Sequence, residues 1–253
     1  NQCRLCNKKK LIKVINFGKI PLGNNLLTKH NLSIKAKKYP LILKNCQNCN
    51  HFQLNYSVNP KILYAKNYTY LSGTGKSMIV HLKKYSDYIS KKINLKKKSI
   101  VLDIGSNDGT TLNFYEDTEL LIGIDPVSSK FKQKYPKNSI TYNDFFNLKI
   151  SSEIKKKYIE MDIITSFAMF YDLEDPVEFA KNIHSILSKD GIWCLEQSYL
   201  PSMIEKNAFD TICHEHLEYY SLKQIELIMS EASLKVIDVK LTDANGGSFL
   251  LIV

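Results

Sequence analysis

The chain has 253 residues, with 44% hydrophobic content and a formal net charge of +10. That length suits one large domain plus a small module, and no apolar run approaches the 18 or more residues a membrane helix needs. The positive charge invites a nucleic-acid partner, but Arg4 is the only arginine, and lysine lacks the planar fork that reads bases and phosphates bidentately.

The N-terminal 60 residues carry two C-x-x-C pairs, Cys3-Arg4-Leu5-Cys6 and Cys46-Gln47-Asn48-Cys49. Four thiolates in two knuckles match a tetrahedral structural zinc site without an open position. A pair of disulfides is the alternative; the N-terminus has no signal-peptide pattern, so the expected compartment is the cytoplasm, which disfavours them. His51 stands two residues beyond Cys49 and is a spare ligand. Short β-like runs lie between the knuckles at 14–18 and 39–43. Residues 1–66 are expected to form the zinc module, residues 67–98 a linker and packing helix, and residues 99–253 the larger domain.

The linker Asn67-Tyr68-Thr69-Tyr70-Leu71-Ser72-Gly73-Thr74-Gly75 reads either as a solvated aromatic turn or as the mouth of a site. From 76 to 93, apolar residues recur at helical spacing. The apolar run Ile100–Ile104 then enters Gly105-Ser106-Asn107-Asp108-Gly109-Thr110, the hand-over from a buried parallel strand to a helical segment. Its D-x-G-x-x-x-G spacing is not the G-x-G-x-x-G of pyrophosphate sites. It suits a ligand with an ammonium and a sulfonium in place of phosphates. A second apolar run, 120–124, ends in Asp125-Pro126, with the acid at the interval where a carboxylate reaches ribose hydroxyls. The pair of signals resembles class I S-adenosylmethionine-dependent methyltransferases. That resemblance implies donor binding by Asp103, Gly105, Asn107, Asp108, Gly109, Thr110, Asp125 and Pro126.

Further strands are predicted at 140–142, 161–167 and 191–195, alternating with helical segments at 128–135, 150–157 and 176–188. This alternation specifies a parallel sheet wound by helices. Asn143-Asp144-Phe145 after the third strand could bind adenine, and Phe167 after the fourth passes the methionine end of the donor. Glu196 and Tyr199 follow the fifth strand and face the same crevice. A helix at 222–232 precedes a hairpin of 234–241 and 248–253, turned at Asn245-Gly246-Gly247, with Asn245 on the acceptor side.

Cys213-His214-Glu215-His216 is the densest polar cluster. It is not an H-E-x-x-H zincin helix. A histidine beside a glutamate can serve as a general base; a surface histidine pair or a second metal site is the alternative. With the paired cysteines, the Tyr-rich linker ending in Ser-Gly, and D-I-G-S-N-D-G-T, the block D-T-I-x-H-E-H-L-x-Y-Y-S resembles the sugar-nucleotide C-methyltransferase family, typified by deoxysugar C-3 methylation in tetronitrose biosynthesis. The resemblance implies C-methylation of a nucleotide-linked 4-keto-deoxysugar through an enolate. His216 would be the base, Glu215 would orient it or contact the sugar, His214 would stand beside them, and Tyr68 or Tyr70 would lie near the reacting carbon. The family commonly has Tyr where Cys213 stands. It also continues into a further domain of about 150 residues, which this chain is expected to lack, and its full-length members imply a monomer. An RNA methyltransferase with a zinc module, and a zinc-stabilised scaffold without activity, are the other readings.

Overall fold

The computed structural model describes residues 2–24, 26, 29, 35–65, 68–93, 95–115 and 118–253; the expected boundary between residues 66 and 67 lies outside them. Two sheets organise the chain. The larger contains β4 (Ile100–Ile104), β5 (Leu120–Ile124), β6 (Ser139–Tyr142), β7 (Met161–Phe167), β8 (Leu187–Ser198), β10 (Asp238–Thr242) and β11 (Ser248–Ile252), in the order β10-β11-β8-β7-β4-β5-β6. Pairings from β8 through β6 are parallel, while β11 runs antiparallel to β8 and β10 to β11.

The apolar runs explain the central position of β4 and β5. Val101 and Leu121 face one core beneath α1 (Lys76–Lys92). Leu102, Ile104, Ile122 and Ile124 face the other, beneath α2 (Leu148–Tyr158), α3 (Pro176–Ile186) and α5 (Leu222–Glu231). A strand covered on both faces needs apolar residues at every position. The chain winds outward through β5 and β6, then returns to β7 on the other side of β4. This reversal opens a crevice at the strands' carboxyl ends.

The smaller sheet has the order β1 (Leu11–Pro21), β2 (Lys38–Cys46), β3 (Phe52–Leu54), β9 (Glu218–Tyr219). In β2 burial alternates, and Leu41 and Leu43 pack with Leu54, Leu217, Tyr219 and Met203 of α4 (Leu200–Glu205). The fourth strand therefore comes from far along the chain. It is fastened by ions as well as by pairing. Arg4 Nη1 stands 3.0 Å from Glu218 Oε1, and His51 Nε2 bonds Glu218 Oε2. Arg4 also donates to the Leu54 carbonyl and Ser57 Oγ, each at 3.0 Å.

Several expected elements shift. The 128–135 segment is a 3-10 turn, Ser128–Lys134, broken at Phe131, rather than an α-helix. α3 stops at Ile186 and β8 starts at once, four residues before its expected start. Gly191 lets β8 pass close to β7 there, because a Cβ would stand 2.7 Å from the Met161 carbonyl oxygen. β10 starts at Asp238, since Leu234 still bonds back to the Met229 carbonyl of the preceding helix. Among the described residues, no helix is long and apolar enough to cross a membrane.

Glu218 is 2% exposed, so removing it strands Arg4 beside a desolvated gap. Glu218→Ala is expected to lower stability by about 3–5 kcal/mol, read as a reduced urea midpoint at unchanged m-value.

Candidate functional site

The crevice above β4, β5 and β7 holds a cavity of about 410 Å³. Asp103, Gly105, Asn107, Asp125, Pro126, Asp144, Phe145, Phe167, Tyr68 and Tyr70 all line it. Gly105 adopts φ +74°, where a side chain would be strained, and a Cβ there would meet Met169 at 3.0 Å. Asp125 sits at the end of β5 and accepts the backbone N–H of Asn107 at 3.0 Å and of Val127 at 2.8 Å, one on each oxygen. The carboxylate is thus fixed, with lone pairs left for two vicinal hydroxyls. Asp103 accepts from Thr165 Oγ1 at 2.6 Å. Burial pushes its carboxyl up to about 7, against the downward pull of the Thr165 and Thr111 hydroxyls.

The linker folds onto the glycine loop. Asn107 Nδ2 donates to the Tyr70 carbonyl at 3.0 Å, and its Oδ1 accepts from Ser72 N at 3.1 Å. Of the two sequence readings, the linker therefore takes the mouth of the site. Asp108, Gly109, Thr110 and Asn143 are off the cavity walls. Asp108 bonds Thr110 Oγ1 at 2.6 Å and Gly73 N at 3.3 Å, and stands 3.2 Å from Lys134 Nζ. Gly109 lies against the Tyr135 ring, and Asn143 Oδ1 accepts from Ser129 N at 2.9 Å. The first three are bonded or packed within the glycine loop and its neighbours, and Asn143 is bonded to the turn after β5.

None of His214, Glu215 and His216 lines the cavity; the His216 ring lies 4.2 Å from that of Tyr171, the residue before the cavity-lining Asp172. His216 Nδ1 donates to the Thr211 carbonyl at 2.9 Å, which leaves Nε2 as the acceptor nitrogen of the neutral ring. Burial holds its pKa below the ordinary histidine value. Glu215 turns to a separate pocket with Leu22, Lys37 and Tyr39, accepting from Asn24 Nδ2 at 3.2 Å, while its backbone carbonyl accepts from the Tyr64 hydroxyl at 2.7 Å. His214 Nε2 donates to the Tyr39 carbonyl at 3.2 Å.

The three residues expected on the acceptor side are elsewhere. Glu196 bonds His81 Nε2 at 2.6 Å and accepts from Thr242 Oγ1 at 2.7 Å. Tyr199 stacks on Phe249 at 4.7 Å. Asn245 occupies the exposed hairpin turn with φ +50°. Met169, within the 167–171 stretch expected to pass the methionine end of the donor, lines the cavity, and so do Tyr64, Thr111 and Asp172, which the sequence did not single out. Closeness to the end of β7 was the available signal for Asp172.

The four knuckle cysteines converge, with all Sγ atoms within 4.8 Å of one another. Cys3–Cys49 and Cys6–Cys46 are each 3.6 Å apart and unbridged. Tetrahedral Zn–S bonds of about 2.3 Å place sulfurs about 3.8 Å apart, so the cluster fits zinc. The backbone N–H groups of Leu5, Lys8 and His51 point at Cys3, Cys6 and Cys49, which steadies thiolates. His51 is not part of the cluster; Glu218 holds it.

Fold and site together define the class I methyltransferase fold, with its crevice at the strand ends, joined to a four-cysteine module that fits zinc. A family model described as "Methyltransferase domain" matches residues 78–239, well over half of the chain, and the chain belongs to that family. A second, described as "Putative zinc binding domain", matches residues 3–64. The chain is 27% identical over 252 residues to C-methyltransferase NovU of Streptomyces niveus, covering 99% of this chain and 60% of that protein. It is 29% identical over 109 residues to tRNA U34 carboxymethyltransferase of Campylobacter lari, 41% of this chain and 37% of that one. Among solved structures, the S-adenosylmethionine-bound amino pentose methyltransferase CalS10 of Micromonospora echinaspora superposes with TM-score 0.52 at 13% identity, over 71% of this chain and 93% of that one. Magnesium protoporphyrin IX methyltransferase of Synechocystis gives 0.51 at 12%, over 69% and 81%. These two share the fold.

Metal analysis is expected to return one zinc per chain, and Cys46→Ala to lose it along with a cooperative unfolding transition. Asp103 gives a pH signature. The folded chain keeps a proton that the unfolded chain has released between about pH 4 and 7, so stability falls as pH rises through that window. Asp103→Asn is expected to flatten the fall by on the order of a few kcal/mol, measured by denaturation of the ligand-free protein across that range.

Proposed function

We propose that the chain is the catalytic part of a C-methyltransferase acting on a nucleotide-linked 4-keto-deoxysugar, at C-3. The observation that carries this reading is the alignment with C-methyltransferase NovU across 99% of the chain, supported by the His-Glu-His loop, whose His216 packs on Tyr171 next to the cavity-lining Asp172. Methyl transfer to carbon needs a base. His216 supports that role because its Nδ1–H is committed to Thr211, leaving the Nε2 lone pair to take the proton. A lowered pKa keeps the ring neutral at physiological pH.

In this scheme Tyr171 and the linker tyrosines Tyr68 and Tyr70 wall the space between base and donor. When bound, S-adenosylmethionine supplies an electrophilic methyl group. Asp125 would hold its ribose and Phe145 its adenine. Removal of the C-3 proton beside the ketone is worth about 10² to 10⁴ in rate when the base is positioned. Glu215, in its own small pocket with Lys37, would orient the loop or meet the sugar. The RNA reading is supported by the net charge and by the partial match to the tRNA-modifying enzyme, and scarce arginine opposes it.

His216→Asn is expected to abolish deuterium wash-in at the sugar carbon while calorimetric S-adenosylmethionine binding is retained. Full wash-in would remove the base assignment. The acid limb of the wild-type kcat/KM profile is expected below the ordinary histidine pKa of about 6.5.

A further inference from the structure

Asp172, an acid on the cavity wall, has no role in this scheme. Asp172 ends the 3-10 turn Phe170–Asp172 that follows β7 and lines the cavity. Its Oδ1 is sealed from solvent and has no hydrogen-bond partner. The donor-side acids differ: Asp103 is served by Thr165, and both oxygens of Asp125 by backbone N–H groups. A buried polar atom left unpaired in a cavity points to a partner that arrives with the ligand.

Its surroundings locate it. Asp172 acts electrostatically on Tyr64, Tyr68, Tyr171, Cys213 and Tyr219, and Glu215 acts on it. These residues come from the linker side and the His-Glu-His loop, the acceptor half of the site. It is the residue next to Tyr171, whose ring lies 4.2 Å from that of His216 at a tilt of 53°. None of these groups is a lysine or arginine. The one hydroxyl close enough to help, Tyr64, is already donating to the Glu215 carbonyl. Burial pushes the Asp172 carboxyl well above the carboxylate range, against the downward pull of the Tyr64 hydroxyl, and Glu215 adds to the rise. With its Oδ1 unpaired and no lysine or arginine among these groups, the carboxyl keeps its proton and offers an O–H.

We propose that Asp172 is a catalytic residue that donates a hydrogen bond to the acceptor's ketone oxygen and stabilises the charge developing there during deprotonation. The role rests on the enolate reading above. The C-3 proton passes to His216 Nε2, and the electron pair of that C–H bond moves toward the ketone oxygen, where the Asp172 O–H meets it without giving up its proton. The pair then returns to form the C–C bond as the methyl–sulfur bond breaks and its electrons stay on sulfur. A preorganised donor at such an oxygen contributes about 10² to 10³ in rate.

The test uses thymidine-diphosphate-linked 4-keto-6-deoxyglucose in deuterated buffer, with wild type, Asp172→Leu and Asp172→Asn side by side, and calorimetry with S-adenosylmethionine for each. Wash-in by the wild type establishes the enolate step; its absence removes that reading and the proposal with it. Where wild type exchanges, Asp172→Leu is expected to slow wash-in by about 10² to 10³ with donor affinity within about twofold. Asp172→Asn, which keeps an N–H donor, is expected to retain more activity and to lose the alkaline limb of kcat/KM that deprotonation of Asp172 imposes. Groups that could mimic this limb are Tyr64, Tyr68, Tyr171, Tyr219 and Cys213, and in Asp172→Asn they remain, so a limb that persists overturns the assignment. Unchanged wash-in with donor affinity weakened tenfold also overturns it, and places Asp172 on the donor's ammonium. If Asp172→Leu does not fold, the profile of Asp172→Asn decides alone.

Discussion

A carboxylate buried between an arginine and a histidine ties this molecule together. Glu218 has left water, and a bare carboxylate would not tolerate that. Arg4 and His51 make it tolerable, and each stands beside a metal ligand: Arg4 inside the first knuckle, His51 just past the second. The second knuckle makes a further tie, since the Cys49 carbonyl accepts from Gln224 Nε2 at 2.8 Å. Zinc coordination, the small sheet and the loop carrying His214 to His216 are therefore one mechanical unit. Leu217, the residue between His216 and Glu218, bonds the Tyr171 carbonyl at 2.9 Å and accepts from Leu54 N at 2.8 Å, so the loop is pinned from both sides.

Burial raises the carboxyls in both halves of the site, but the two halves hold them differently. On the donor side, acids are presented on rigid backbone: Asp103 inside a strand, Asp125 at a strand end with both oxygens seated. On the other side, hydroxyls and carboxyls crowd together with aromatic rings and little countercharge, which suppresses ionisation. Ala168, between them, takes φ +52°, a conformation that costs a non-glycine residue energy and persists where surrounding structure enforces it. Its N–H reaches the Glu196 carbonyl at 2.7 Å, so the bend at the end of β7 is held by β8.

Legibility in the sequence followed the range of the forces involved. β4, β5 and β7 begin and end where their apolar runs do, because burial on both faces dictates residue type at each position. The cysteines were equally legible, since ligand chemistry fixes both type and spacing. β3 and β9 were not, being three and two residues long; such strands exist through their partners and carry no period of their own. The same reason hides the fate of Glu196. A strand-end acid reads as crevice-facing, but His81, on a helix more than a hundred residues earlier, claims it. Asp172 was missed because a turn acid followed by Glu174, Asp175 and Pro176 reads as solvated, and only the packing around it removes the water.

The small sheet's last strand has a consequence for how the protein is made. β3 ends at Leu54, but its partner β9 begins at Glu218. At ribosomal speeds of about 5–20 residues per second, the interval is roughly ten to thirty seconds. Through it, both knuckles are already outside while Arg4 and His51 have nothing to hold. The metal can be captured early, yet the sheet edge of β3 stays open to a stranger's strand until the nucleotide fold behind it is nearly complete. Newly made chains are thus open to mispairing at this edge between the emergence of β3 and that of β9.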